Sequence, residues 1–180
     1  MSATSFRSPA PAHARHLGAS SLRATPPKRS FDCTTFVLAS PDAIWYALTD
    51  PHATARYWNH ANVSTWQPGA RWDHVRTDGS GLADAGGVVV DAERPHHLAF
   101  TFGPSRETAY DGASRVRLTL TPTRRITRID LRHDGLLDER EVERAGTAWS
   151  AVLAGLKTFL EVGRPLPSEL WAIASSRVRG

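Results

Sequence analysis

DEREVERAGTAWSAVLAGLKTFLEV, residues 138–162, is the stretch whose reading decides the fold. Val142, Ala145, Trp149, Val152, Leu153, Leu156, Phe159 and Leu160 recur at three- and four-residue steps, which predicts one apolar helical face. Arg140, Glu143, Arg144, Ser150, Lys157 and Glu161 fall mainly off it. Asp138 is placed to cap the first free N–H groups, and Glu141 three residues on completes a capping box. Acids crowd the first turns, where they oppose the helix dipole. Gly163 supplies a left-handed stop and Pro165 blocks a restart. A helix of about 25 residues spans nearly 40 Å. So wide an apolar face must lie against something large, and the preceding residues predict an antiparallel sheet.

From Val63 to Asp134 short alternating segments are separated by turns. Ala70–Thr77 follows Pro68-Gly69, and Gly87–Ala92 holds three valines. Leu98, Phe100 and Phe102 alternate with smaller or polar residues until Gly103-Pro104. Val116, Leu118 and Leu120, then Ile129, Leu131 and His133, alternate with Arg, Thr and Asp. One wet and one dry face make an antiparallel meander. Upstream, Phe31–Leu38 is β-rich. Ser40-Pro41-Asp42 opens a helix with Ile44, Trp45 and Leu48 inward, Asp50-Pro51 breaks it, and a second short helix runs from His52 to Trp58. The predicted class is α+β, a curved antiparallel sheet wrapped around a long C-terminal helix, with two short helices after the first strand.

The 180 residues make one domain, 31–163, with a basic N-terminal tail, 1–30, and a C-terminal extension, 164–180. The tail is Ser/Ala/Pro/Arg-rich without periodicity and is expected to be disordered. Its acid-free, Arg-rich composition superficially fits a transit peptide, although a floppy extension or a mis-assigned start fits better. It holds 5 of the 22 basic side chains; the other 150 residues carry 17 basic against 18 acidic. A body this neutral lacks the basic stripe of a nucleic-acid binder. No apolar run is long enough to span a membrane. Cys33, the single cysteine, rules out an intrachain disulfide and fits a reducing cytoplasm. Ser105–Gly112 reads as a mobile polar loop, and Leu170, Trp171 and Ile173 as a short amphipathic turn.

Several segments resemble a known family in order. Ile44-Trp45-Tyr46-Ala47-Leu48-Thr49-Asp50-Pro51, followed by Trp58, is similar to the "VW-x-ALTDP…W" segment of the heat-shock-protein-90 ATPase activator-homologue family. Gly69-Ala70-Arg71-Trp72 resembles its glycine-aromatic strand opening, and Arg94-Pro95 with Leu98-Ala99-Phe100-Thr101 its "PP-x-x-LVYTW" step. Thr127–Gly135 resembles "TRLTLTHSG", and Trp149 with Leu153 and Leu156 resembles "GW…L..LK". The resemblance covers about residues 33–162. It implies the helix-grip fold of the START-like (SRPBCC) superfamily, with a six-strand meander. Wider relatives carry lipids, cyclise polyketides or bind hormones between helix and sheet, whereas family members are mostly of unassigned biochemistry. Ala148 departs from the usual Gly before Trp149, which bears on how closely helix and sheet approach, and the two arms are extra.

A sheet gripping one helix leaves a volume that side chains either fill or line. The inward-facing candidates for a ligand site are Trp58, Trp72, His74, Phe100, Phe102, Ile129, Leu131, His133, Trp149, Leu153 and Leu156. The aromatic members either build the core or line an apolar pocket; Trp45 reads as plain core. His133 shares the face of Ile129 and Leu131, and His74 that of Trp72, so the two imidazoles are candidates for a polar end or an acid/base pair. His96-His97 diverge, His52 and His60 lack ligand spacing, and no HExxH or CxxC occurs, so no metal or cofactor is expected. Gly86-Gly87 precedes a valine strand and reads as a bulge or turn rather than a phosphate cradle. Cys33, in a strand, reads as a buried, inert thiol. The expected partner is a small apolar ligand, with no nucleic acid and no membrane span, for a monomer or homodimer. Sequestering or sensing that ligand is the first function read from these features. A cyclase, dehydratase or hydrolase using His133 and His74 is the second, and a chaperone-modulating module the third.

Overall fold

The computed structural model describes residues 28–104 and 113–171. Most of the tail, the stretch 105–112 and residues 172–180, Ile173 among them, lie outside the described residues. β1 (Arg29–Val37) leads into α1 (Pro41–Thr49) and α2 (Pro51–Tyr57). Then come β2 (His60–Val63), β3 (Arg71–Arg76), β4 (Ala83–Glu93), β5 (His97–Pro104), β6 (Ser114–Thr123), β7 (Ile126–Leu136) and α3 (Glu139–Val162). The seven strands form one antiparallel sheet in the order β1-β7-β6-β5-β4-β3-β2. The helix-grip arrangement is therefore present, with α3 packed against β1, β7 and the two short helices.

Each helix begins as its sequence dictates. Ser40 and Asp50 accept from Ala43 and Ala53 N–H, with Pro41 and Pro51 at the first helical positions. Asp138 accepts from Glu141 N–H at 2.9 Å, and Gly163 (φ 77) closes α3 by donating to Phe159 O. The capping box differs in one bond: Glu141 takes the N–H of Leu137, not that of Asp138.

Other boundaries shift for local reasons. β1 starts at Arg29 rather than Phe31, because Arg29 and Ser30 pair with Leu136 and Asp134 of β7. Gly103 and Pro104, expected to break the run, are themselves the last two residues of β5. β2 is absent from the residue-level reading because its four residues point a polar Asn62 inward, which hides the alternation. Gly86 and Gly87 lie inside β4 rather than in a turn, in regular pairing between two register shifts, one at Asp84 and one between Val89 and Asp91. A Cβ on Gly87 would overlap the Thr101 carbonyl of β5, so only glycine allows the strands this approach.

The core is solid under the C-terminal half of α3. Leu153 and Leu156 meet Ile44, Leu48, Leu118, Ile129 and Leu131 in one buried cluster, with Trp45 also buried. Gly155 lets α3 come close to Tyr57 of α2. Cys33 is half-buried rather than buried, and burial together with Asp130 raises its thiol pKa. Trp171 packs against the core edge. Among the described residues no helix is long and apolar enough to cross a membrane.

Candidate functional site

Under the N-terminal half of α3 the packing opens. A cavity of about 880 Å³ lies there, within the range of small-molecule sites. α3 contributes Glu141, Arg144, Ala145, Ala148, Trp149 and Val152, residues on adjacent helical turns. β7 supplies His133, Gly135 and Leu136, and Leu137 follows it; β5 adds Phe102–Pro104, β6 Ser114, β4 Asp84 and Ala85, and β3 His74. Trp58, the C-cap of α2, closes one side.

Of the residues singled out from sequence, Trp58, His74, Phe102, His133 and Trp149 stand on this wall. Trp72, Phe100, Ile129, Leu131, Leu153 and Leu156 do not; they belong to the packed core. Trp72 is 1% exposed, donates its indole N–H to Thr101 O and packs edge-to-face on Phe100. Strand alternation identifies the inner face but not the level along it, so core and wall residues read alike. Ala148, expected to change the helix-to-sheet approach, is exposed and puts its methyl on the cavity wall.

A directional chain of hydrogen bonds runs through one end. The Trp149 indole N–H donates to His133 Nδ1 at 3.1 Å. The ring proton therefore sits on Nε2 and is donated to Ser114 Oγ at 2.8 Å, whose hydroxyl donates on to Phe102 O. Burial lowers the His133 pKa to about 4 despite nearby Asp134 and Glu141, so the ring is neutral. Both its nitrogens are occupied. Ser114, inward on the same alternation as Val116, was legible had that pattern been extended by two residues.

His74 is held differently. Its Nδ1–H donates to Asn62 Oδ1 at 2.6 Å, since a carboxamide oxygen only accepts. His60 stacks on it at 4.0 Å and bonds Asp84 at 3.0 Å, while Arg76 holds the other oxygen of Asp84. Burial, then the neighbouring His60, push the His74 pKa down to about 3, and Arg76 and His60 hold Asp84 at about 2. Asn62, Asp84 and His60 carried no sequence signal, because the short β2 and the β3–β4 pairing bring them together.

The two imidazoles line one cavity but are not hydrogen-bonded to each other. The rings between them are close: Trp58 stands 5.4 Å from Trp149 and 5.2 Å from His74, and Phe102 lies 5.7 Å from His133. Among the described residues no group of three His, Cys, Asp or Glu side chains is arranged to hold a metal ion.

A family model described as Activator of Hsp90 ATPase homolog 1-like protein matches residues 38–161. No curated protein matches the chain. Among solved structures, CalU16 from Micromonospora echinospora superposes with a TM-score of 0.64 at 25% identity, over 86% of this chain and 89% of that one. The Aha1 dimer from Colwellia psychrerythraea gives 0.63 at 18% identity, covering 75% and 98%. An Hsp90 activator from Plasmodium falciparum gives 0.60 at 18%, covering 76% and 97%. At 18% identity these last two speak for the fold alone.

Proposed function

The chain belongs to the activator of Hsp90 ATPase homolog 1-like family, and on that premise we propose that it binds a small, largely apolar molecule in the cavity under α3, sequestering or sensing it. The observation that carries this reading is the wall itself. Apolar side chains, Trp58, Phe102, Leu136, Ala145, Trp149 and Val152, surround two buried imidazoles, a pattern of mostly apolar lining with a few fixed polar groups.

Cyclase, dehydratase or hydrolase chemistry is less well supported. His133 would have to break a bond to Trp149 or Ser114 before moving a proton, and His74 is too weak a base near neutral pH. The chaperone-modulating reading needs a charged docking face. On the outer face of the sheet the charges instead pair with one another, Arg117 with Asp134, Arg128 with Asp130 and Arg132 with Asp32. A monomer and a homodimer are both compatible with this reading.

The test is mass spectrometry of molecules that co-purify with the full chain, followed by thermal-shift screening of lipids and polycyclic arenes. Binding predicts a raised Tm with the added compound recovered unchanged. Recovery of a chemically altered compound, lost in His133→Ala, would replace binding by catalysis.

A further inference from the structure

The polar groups of the cavity are not equivalent. His133 is closed, with both nitrogens bonded within the protein. Arg144 and Glu141 on α3 bring one charge of each sign, so this part of the wall favours neither anion nor cation. His74 is the exception. Asn62 fixes its proton on Nδ1, and Nε2 has no hydrogen-bond partner among the described residues. That nitrogen carries a lone pair on a ring that forms part of the cavity wall.

An unpaired acceptor calls for a donor, and the surroundings narrow the choice. An ionised carboxylate carries no proton to give that nitrogen, and the neutral ring offers it no charge. An ammonium finds no spare negative charge there, since Arg76 and His60 already engage Asp84. The burial that keeps His74 neutral disfavours a cation equally. A neutral hydroxyl meets both conditions. Trp58, Trp149 and Phe102 pack edge-to-face at 63–67° into one aromatic stretch of the wall, against which a ligand ring can stack or set its edge.

We propose that the cavity takes a flat, mostly apolar aromatic molecule bearing a phenol or alcohol, whose hydroxyl donates to His74 Nε2. This rests on the reading of the cavity as a ligand site. Free fatty acids, with an ionised head, are excluded from that orientation.

The experiment is calorimetric titration of the full chain at pH 7 with four probes: naphthalene, 2-naphthol, 2-methoxynaphthalene and 2-naphthoate. The 2-naphthol is expected to bind at least about tenfold more tightly than the methoxy and carboxylate probes, the ratio of one hydrogen bond worth about 1.4 kcal/mol. In His74→Leu the naphthol and methoxy affinities should converge to within about twofold. Equal affinities in the wild type, or 2-naphthoate binding most tightly, would overturn the hydroxyl assignment while leaving the cavity a ligand site. Failure of all four probes to bind would overturn both. Should His74→Leu not fold, as judged by circular dichroism, the wild-type series decides alone.

Discussion

Replacing Trp149 by Phe probes the hydrogen-bond chain that builds one end of the cavity. The ring stays aromatic, but the N–H donated to His133 Nδ1 at 3.1 Å is lost. His133 is 6% exposed, so its acceptor is left with no protein partner and little water. A buried group orphaned in this way costs about 1–3 kcal/mol. The smaller ring leaves a gap of about 40 Å³ which, at about 24 cal/mol per Å³, adds about 1 kcal/mol. Trp149→Phe should therefore destabilise by about 2–4 kcal/mol. His133→Phe orphans the indole N–H in turn and should cost a similar amount. In the double variant neither partner remains, so the two effects must fall short of additivity, with a coupling of about 1–2 kcal/mol. Urea unfolding of the four proteins measures the cycle, provided the m-values agree. Additivity to within about 0.3 kcal/mol, or a cost below about 0.5 kcal/mol for Trp149→Phe, would refute the chain as drawn.

Three further outcomes follow from the same structure. His74 and His133 titrate in the fold near 3 and 4, below the ordinary histidine value, so the unfolded chain binds more protons between those values and about pH 6.5. Their contribution is complete above about pH 7 and is lost as pH falls. The Tm should drop between pH 7 and 4.5, and the double variant His74→Phe/His133→Phe should flatten that slope; an unchanged slope would contradict it. Asp84 adds a separate loss only at lower pH, because its carboxyl is held at about 2. Gly87→Ala drives a methyl into the Thr101 carbonyl and should cost at least about 2 kcal/mol in urea unfolding, since backbone on a central strand cannot yield cheaply. Ala148→Phe fills part of the cavity from an exposed position and should weaken arene binding more than about tenfold with Tm changed by only a degree or two; undiminished binding would move the site elsewhere.

How much of this was legible in the sequence differs from element to element. α3 was readable nearly to the residue, because caps, stop signal and apolar face are local. The inward direction of His74 and His133 was readable because strand alternation has period two. Which inward residues meet a hollow was not, since that depends on where α3 crosses the sheet. Trp149 and Leu156 share a helical face, yet one stands over the cavity and the other over packed core. The roles of the imidazoles were equally hidden. Asn62 is 12 residues from His74 and Ser114 is 19 from His133, and both pairs form only once the strands align. Trp66, buried with φ 54 and bonded through its indole to Thr49 O, also gave no sign of its left-handed backbone in the sequence.

The six tryptophans make the most direct test possible by NMR, through their separate indole N–H signals. On titration with naphthalene, shifts are expected at Trp58 and Trp149, which line the hollow. Trp66 and Trp72 should hold still, locked to Thr49 O and Thr101 O in packed core. Movement of Trp66 or Trp72 with Trp149 unchanged, or no movement at any indole up to saturating probe, would contradict a ligand site beneath the N-terminal half of α3.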